Sequence, residues 1–193
     1  MLTPYLTLIA TLLSFLVALH LYFILVRKGF IPHFFPRSHK REFLSIVKEI
    51  TSNKEFAKLK NYQHHTNHIY DHLLRVAYIS YTIAKSLKLD YVSATRGALL
   101  HDFFLYDWRE KKRTDDKRSS HGKEHPYIAL ANATKHFEIN DVEADIIVKH
   151  MFPKTKQLPF YKESYLVSLA DKMATVAEYL GLFKKRLTAL LTF

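Results

Sequence analysis

The sequence predicts an all-α domain preceded by a single N-terminal transmembrane helix. Three observations lead to this prediction: apolar residues recur at helical spacing in several segments, no segment alternates like a strand, and the chain opens with a long apolar run. The chain has 193 residues, of which 48% are hydrophobic and only four are Gly. This composition suits one packed domain and does not fit a disordered chain.

The transmembrane helix is predicted from residues 2–26, which contain no Asp, Glu, Lys or Arg. About 20 apolar residues cross a bilayer, whereas a signal peptide has basic residues first and a shorter apolar stretch. Arg27 and Lys28 follow immediately. The positive-inside rule then places the N-terminus outside the cell membrane and the rest of the chain in the cytoplasm. A buried core helix is the alternative.

The chain is divided into three parts by this pattern. Residues 1–27 are the predicted anchor, residues 28–60 a juxtamembrane linker with short helices, and residues 61–193 the functional domain. Pro126 suits a first helical turn, and Asn140 or Asp141 suits a helix cap. The predicted helices are Glu42–Ile50, Asn53–Leu59, His68–Leu87, Tyr91–Phe104, Pro126–Phe137, Val142–His150 and one or two within Ser164–Leu191.

Composition restricts the chemistry of any site. The absence of Cys excludes disulfides and thiolate ligands, and the 12 His residues indicate metal or acid–base chemistry. The formal net charge of +11 favours an anionic partner, namely a membrane surface, nucleic acid or a phosphorylated small molecule.

A charged segment between Asp107 and Glu124 contains seven Lys or Arg and five Asp or Glu residues. It is predicted to be a solvated loop, and the alternative is a basic flap over a phosphate site. Because its charges are balanced and no array of base-stacking aromatic residues is present, we expect no specific nucleic-acid partner.

His101 and Asp102 stand side by side in a segment with apolar residues on both sides. A buried carboxylate is costly unless it is paired or binds a metal. Taken singly, each such residue is explained by a satisfied core position or a helix cap, but six on five predicted helices favour a common site. The six are His72, His101, Asp102, His125, His150 and Asp171.

The order and spacing of these six residues, with the phrases HDFFLYDW, HPYIALANA and KHMFP, resemble the HD superfamily of metal-dependent phosphohydrolases over residues 63–179. The similarity extends to membrane-anchored bacterial members of that superfamily. It implies a helical bundle that hydrolyses a phosphoester or phosphoanhydride of a nucleotide-like substrate, with residues 61–193 as the phosphohydrolase domain.

The resemblance also implies two metal ions that share Asp102, the central catalytic residue. His/carboxylate ligation suits Mn, Fe, Co, Ni or Zn, and Mn or Fe is favoured by the resemblance. Two ions about 3.5–4 Å apart can clamp the attacking and leaving oxygens of a phosphoryl group. The implied ligands are His72, His101, Asp102 and Asp171 for one ion, and Asp102, His125 and His150 for the other.

Differences between this sequence and related enzymes restrict the class of substrate that is expected. Leu105 stands where cyclic-dinucleotide phosphodiesterases of the superfamily carry a lysine, and Met151 follows His150 where many carry a second histidine. Cyclic di-GMP is therefore not expected. The mononuclear nucleotidase branch lacks counterparts of His125 and His150, which argues against a simple deoxynucleotide phosphatase.

Further residues have predicted roles around the ions. Lys172 is expected to stabilise phosphate charge, with pairing to Glu178 or solvent exposure as alternatives. Arg75 is expected to orient Asp102 or bind phosphate. His64 is expected to contact phosphate or order water, if it shares a helical face with His68 and His72. Two flap residues, Arg109 and Lys111, are predicted substrate-binding donors.

Two alternatives stay open at this stage. The domain can be a non-catalytic HD module that binds a nucleotide or signals at the membrane. The C-terminal segment 180–193, apolar with a basic cluster, is either a last packing helix, a homodimer contact or an interfacial membrane helix.

Overall fold

The computed structural model describes residues 13–14, 16–17, 20, 37–64, 67–107 and 121–179. Within these ranges the chain forms a bundle of seven α-helices with one 3₁₀ helix and one short antiparallel hairpin, which confirms the all-α fold class. None of the helices in the described ranges is long and apolar enough to cross a membrane. Most of the predicted anchor, most of the charged segment 107–124 and all of segment 180–193 lie outside the described residues.

The elements follow one another in a simple order. Gln63 pairs with His68 and His64 with Asn67 in the hairpin. The helices and strands are α1 Arg37–Thr51, α2 Lys54–Ala57, the 3₁₀ helix Lys58–Asn61, β1 Gln63–His64, β2 Asn67–His68, α3 Ile69–Ser86, α4 Tyr91–Leu100, α5 His121–His136, α6 Asp141–Lys149 and α7 Lys162–Tyr179.

Helix α3 is central to the bundle and packs on α4 and α7, while α4 also packs on α6. Close approach of α4 and α6 depends on Gly97, because a Cβ there would lie 2.8 Å from Ile146 Cδ1. Helix α1 belongs to the same core, since Phe43, Val47 and Ile50 are fully buried in it. Part of the segment predicted as a juxtamembrane linker therefore packs on the functional domain.

Local sequence signals account for several helix ends. Asn140 caps α6, as predicted, in a capping box in which its side chain accepts from the Glu143 amide while Glu143 accepts from the Asn140 amide. Asp90 caps α4 through the Ser93 amide, and Asn53 caps α2 through the amides of Glu55 and Phe56.

Two predicted boundaries are wrong in ways that affect the site. Helix α4 ends at Leu100 rather than Phe104, so His101 and Asp102 follow the helix instead of lying inside it. Helix α5 begins at His121, five residues before Pro126. Helix α3 begins at Ile69, one residue from its predicted start, and the condition for a shared helical face of His64, His68 and His72 is not met because a hairpin precedes the helix.

Candidate metal centre

Five segments of the bundle bring the six predicted residues together. His72 is the fourth residue of α3, His125 lies in the second turn of α5, and Asp171 lies in the middle of α7. His101 and Asp102 directly follow α4, and His150 directly follows α6. All four histidines are buried.

One group of donors forms around the N-terminus of α3. The donor atoms of His72, His101 and Asp102 all lie within 4.8 Å of one another. Asp171 Oδ1 lies 3.0 Å from His72 Nε2 and 3.8 Å from His101 Nε2, and His101 Nε2 is 3.7 Å from Asp102 Oδ2. We call His72, His101 and Asp102 the first triad, with Asp171 beside it.

A second group shares the carboxylate of Asp102. Its Oδ1 lies 3.1 Å from His125 Nε2 and 3.4 Å from His150 Nε2, and the two histidine nitrogens are 2.9 Å apart. We call Asp102, His125 and His150 the second triad. Because the two oxygens of Asp102 face different triads, this one side chain joins the two groups.

Each of the four histidines directs Nε2 into the centre because its Nδ1–H is used elsewhere. The acceptors of these Nδ1–H groups are Ala98 O for His101 at 2.7 Å, His121 O for His125 at 2.6 Å, Ile147 O for His150 at 2.8 Å and Glu178 Oε1 for His72 at 3.1 Å. A second partner on the far ring nitrogen is the arrangement that fixes the tautomer and orientation of metal-binding histidines.

The donor set fits metal cations. His101 Nε2 is buried and has no hydrogen-bond partner in the described part of the chain. His101 Nε2 lies 3.7 Å from Asp102 Oδ2 and 3.8 Å from Asp171 Oδ1, which is too far for a hydrogen bond. A buried ring nitrogen without a partner beside two carboxylates is accounted for by a cation between them. The two buried triads are thus consistent with a dinuclear metal site.

The pKa shifts in the first group show that its carboxylates stabilise a positive charge at this position. Burial opposes the charged form of His72, but hydrogen bonds with Asp171 and Glu178 outweigh it and raise the pKa of His72 to about 10. Burial likewise opposes the carboxylate of Asp171, yet the hydrogen bond from His72 and the nearby His101 hold its pKa well below the ordinary value. A divalent ion would take the place of the His72 proton.

In the second triad the pKa values of the two histidines shift in opposite directions. Burial, reinforced by His101, lowers the pKa of His150 to about 3, so this ring is neutral and its Nε2 accepts from His125. Burial also acts on His125, but the Asp102 charge outweighs it and raises the pKa of His125. The pKa of Asp102 stays well below its usual value despite burial, because His101 and His125 surround it.

Glu178 and Arg75 form a buried pair that the sequence reasoning did not recognise. Arg75 Nη1 donates to Glu178 Oε1 at 2.6 Å, and the same oxygen accepts from His72. The Arg75 side chain contacts Glu178, and its predicted role in orienting Asp102 or binding phosphate stays a prediction. The signal was present in the sequence, since Glu178 follows Asp171 by two helical turns and therefore lies on the same face of α7.

Four further residues have predicted roles at the substrate, and two of them have described contacts or positions. Lys172 is largely buried, and its Nζ donates to Phe152 O, Ser168 O and Ser168 Oγ. His64 lies in β1, before α3 begins. Arg109 and Lys111 lie outside the described residues. The predicted roles of these four residues at a substrate stay predictions.

A polar pair beside the second triad was also missed. The His121 ring stacks on the His125 ring with centroids 4.6 Å apart, and Tyr106 Oη lies 3.2 Å from His121 Nδ1. Both side chains are partly exposed, so the second triad meets solvent through a histidine and a phenol.

Comparison with known proteins agrees with this geometry. The HD domain matches residues 69–176 of the chain, which is more than half of its length and includes all six clustered residues. No curated protein and no solved structure matches the chain significantly.

Proposed function

The chain belongs to the HD-domain family, generally metal-dependent phosphohydrolases, and on this premise we propose that it uses two metal ions to hydrolyse a phosphoester or phosphoanhydride of a nucleotide-like substrate. The observation that carries the proposal is the shared carboxylate of Asp102, with oxygens 3.1 Å from His125 Nε2 and 3.7 Å from His101 Nε2. One buried carboxylate that faces two sets of histidine nitrogens is suited to bridge two ions.

Residues of both triads have defined tasks in such a reaction. Ions held there would supply a nucleophilic water at neutral pH and positive charge for the phosphoryl oxygens. Asp102 holds the two sets of donors together, and His72 and Asp171 complete the first set. Packing against the apolar core keeps bulk water from the buried side, and the partly exposed Tyr106 and His121 support entry of the substrate from their side of the second triad.

The chemistry of the donor atoms restricts which metals fit the site. Four imidazoles and two carboxylates suit a first-row transition ion better than Mg²⁺ or Ca²⁺. Manganese or iron is our first choice, and zinc, cobalt and nickel fit the same donors. Imidazole donors of this kind support both a hydrolytic and a purely binding role, so turnover is measured separately from metal content.

Substrate class and location belong to the same proposal. The net charge of +11 supports a phosphorylated, nucleotide-like substrate. The charge-free run 2–26, followed by basic residues, supports a single-pass anchor that holds the domain at the cytoplasmic face of the cell membrane.

The test of this function is the Asp102→Asn variant. The amide keeps the size of the side chain but cannot bridge two cations, so we expect loss of the second ion, weaker binding of the first and loss of hydrolysis. Metal content and release of phosphate or nucleoside from a panel of nucleotides and phosphodiesters are measured on the same samples. Asp71→Asn, next to His72 but outside both triads, is the matched control and keeps both properties.

Two outcomes contradict the proposal in different ways. Hydrolysis that persists in the Asp102→Asn variant places the reaction elsewhere. A wild-type protein that binds two ions but hydrolyses no member of the panel favours the alternative function, a metal-bound HD module that binds a nucleotide without turning it over.

A further inference from the structure

Side chains of α7 bind the backbone of the segment that carries His150. Lys172 Nζ donates to Phe152 O at 2.7 Å, to Ser168 Oγ at 2.8 Å and to Ser168 O at 2.9 Å. Ser168 Oγ in turn lies 2.8 Å from His150 O and 2.7 Å from Phe152 O. We call Ser168 and Lys172 the α7 clamp.

The clamp contains a cation where an apolar side chain would pack at lower cost. Ser168 is buried and Lys172 is largely buried. A buried ammonium is costly unless its protons are bound, and here the three Nζ contacts are with neutral oxygens. A methionine of similar length would fill the space without that cost. The lysine therefore holds this carbonyl segment in a way that simple packing would not.

The position of the clamp connects the two triads. Asp171, beside the first triad, directly precedes Lys172 on α7, while the other end of the clamp lies on residues 150–152. The ring of His150 is fixed separately through its Nδ1–H to Ile147 O at 2.8 Å. Both restraints act on His150, whose Nε2 lies 3.4 Å from Asp102 Oδ1.

We propose that Ser168 and Lys172 are positioning residues that hold His150 in place for the second metal ion, an inference that rests on the proposed dinuclear site. Lys172 acts through His150 and not on the substrate, because its three donors are already directed to Phe152 and Ser168. Helix α7 thus contributes Asp171 to one ion and sets the ligand geometry of the other.

The test is Mn²⁺ binding by the whole chain and its Lys172→Met variant, followed by calorimetry and electron paramagnetic resonance. Loss of an outer partner of a metal ligand lowers metal affinity about 10- to 100-fold. We expect that loss for the second ion only, with the spin-coupled spectrum of an ion pair replaced by the six-line spectrum of an isolated ion. Lys172→Arg, which still donates to carbonyl oxygens, is expected to restore much of the second-ion affinity.

A simple charge effect predicts the opposite sign. Removal of a positive charge next to Asp171 would tighten the binding of cations, so weaker binding of the second ion cannot be explained by charge alone. Lys149→Met is the matched control. Lys149 precedes His150, but its Nζ binds Asp145 Oδ1 at 2.5 Å on the same helix, and we expect two ions with unchanged affinity.

The outcomes separate this inference from the proposed function. Two ions in the wild type and one in Lys172→Met support the inference, whereas two ions of wild-type affinity in both overturn it and leave the function intact. Fewer than two ions in the wild type overturn both. Thermal unfolding of the metal-free proteins checks the fold, and if Lys172→Met does not fold, Ser168→Ala carries the same expectation and the same contrary result.

Discussion

At the scale of single residues, the centre depends on outer partners as much as on its ligands. His72 has a carboxylate on each ring nitrogen, Glu178 at 3.1 Å and Asp171 at 3.0 Å, and Arg75 donates to the same Glu178 oxygen as His72. Glu178 is thus linked to the first triad without belonging to it. This chain of contacts can be tested one side chain at a time.

Glu178→Gln is predicted to weaken binding of the first ion about 10- to 100-fold, because a neutral amide polarises His72 less than the carboxylate does. It also removes the negative charge opposite buried Arg75. Breaking a buried ion pair costs about 3–5 kcal/mol, and we expect the lower end since Gln still accepts a hydrogen bond. Metal titration and urea unfolding measure the two effects.

Glu143→Gln is the matched control for that prediction. Glu143 is also buried and accepts from Arg96 Nε at 2.6 Å, but it belongs to neither triad. A comparable loss of stability with unchanged metal affinity is expected. Equal weakening of metal binding in both variants would mean that general destabilisation, and not the orientation of His72, accounts for the effect.

Binding of the first ion is also predicted to release a proton. In the metal-free protein His72 is protonated at pH 7 because its pKa is raised to about 10, mainly through the two carboxylates that overcome burial. The ion needs the neutral ring, so affinity falls as the pH is lowered below that value. Calorimetry in two buffers of different ionisation enthalpy counts the released protons, and a heat independent of buffer would contradict this account.

The residue scale also shows what sequence can and cannot reveal about the site. The six clustered residues could be chosen because each is a titratable group among apolar neighbours. The contacts of Arg75 and Lys172 could not be predicted from the sequence, since the direction of a long side chain depends on which acceptors lie within reach in the folded chain. Glu178 and Ser168 reach His72 and His150 only after α7 has docked.

At the scale of elements, helix ends determine the geometry of the centre. Helix α4 ends at Leu100, and the chain turns at the His101–Asp102 pair, where His101 keeps helical dihedral angles. Adjacent residues in such a conformation point about 100° apart, and the two side chains meet donors from α3, α5 and the end of α6. Sequence periodicity extended α4 to Phe104 because the residues after Asp102 are also apolar and equally buried.

One carboxylate of helix α1 joins it to two other helices, in addition to the apolar contacts of α1 with the core. Glu42 accepts from Tyr81 and Tyr91 at 2.7 Å each and pairs with Lys85, so it joins α1 to α3 and α4. Lys85, followed by the two tyrosines, lowers the pKa of Glu42 from 4.5 to about 2. These contacts explain why residues predicted as a linker form part of the domain.

Glu42→Gln is predicted to destabilise the protein in a pH-dependent manner. Because the folded-state pKa is below the ordinary value, the contribution of Glu42 is complete above pH 4.5 and is lost as the pH falls towards 2. The difference in unfolding free energy between wild type and variant should therefore narrow between pH 5 and pH 3. A constant difference over this range contradicts the assignment, and exposed Glu138→Gln serves as the control that shows none.

At the scale of the whole molecule, the fold class follows from periodicity alone, since the amphipathic segments of α3, α4, α6 and α7 can bury their apolar faces only against one another. The hairpin at residues 63–68 gives no such signal, because two-residue strands are too short to show alternation. The hairpin directly precedes α3, so His64 and His68 lie outside the helix that carries His72.

The molecule as a whole places two sets of donors in one buried centre and joins them through Asp102. Helices α3 and α7 supply the first set, α5 and the end of α6 supply the second, and α4 ends between them. A bundle of this kind is expected to bind its ions as a unit, so that removal of metal lowers its thermal stability.

The most direct test of a dinuclear centre is the metal content of the whole chain, purified without chelator or nickel resin and reconstituted with Mn²⁺ or Fe²⁺, beside its His125→Ala variant. The account predicts about two equivalents in the wild type and about one in the variant, with His136→Ala on the same helix unchanged. An absence of bound metal in the wild type under reconstitution, or an equal content in wild type and His125→Ala, would contradict it.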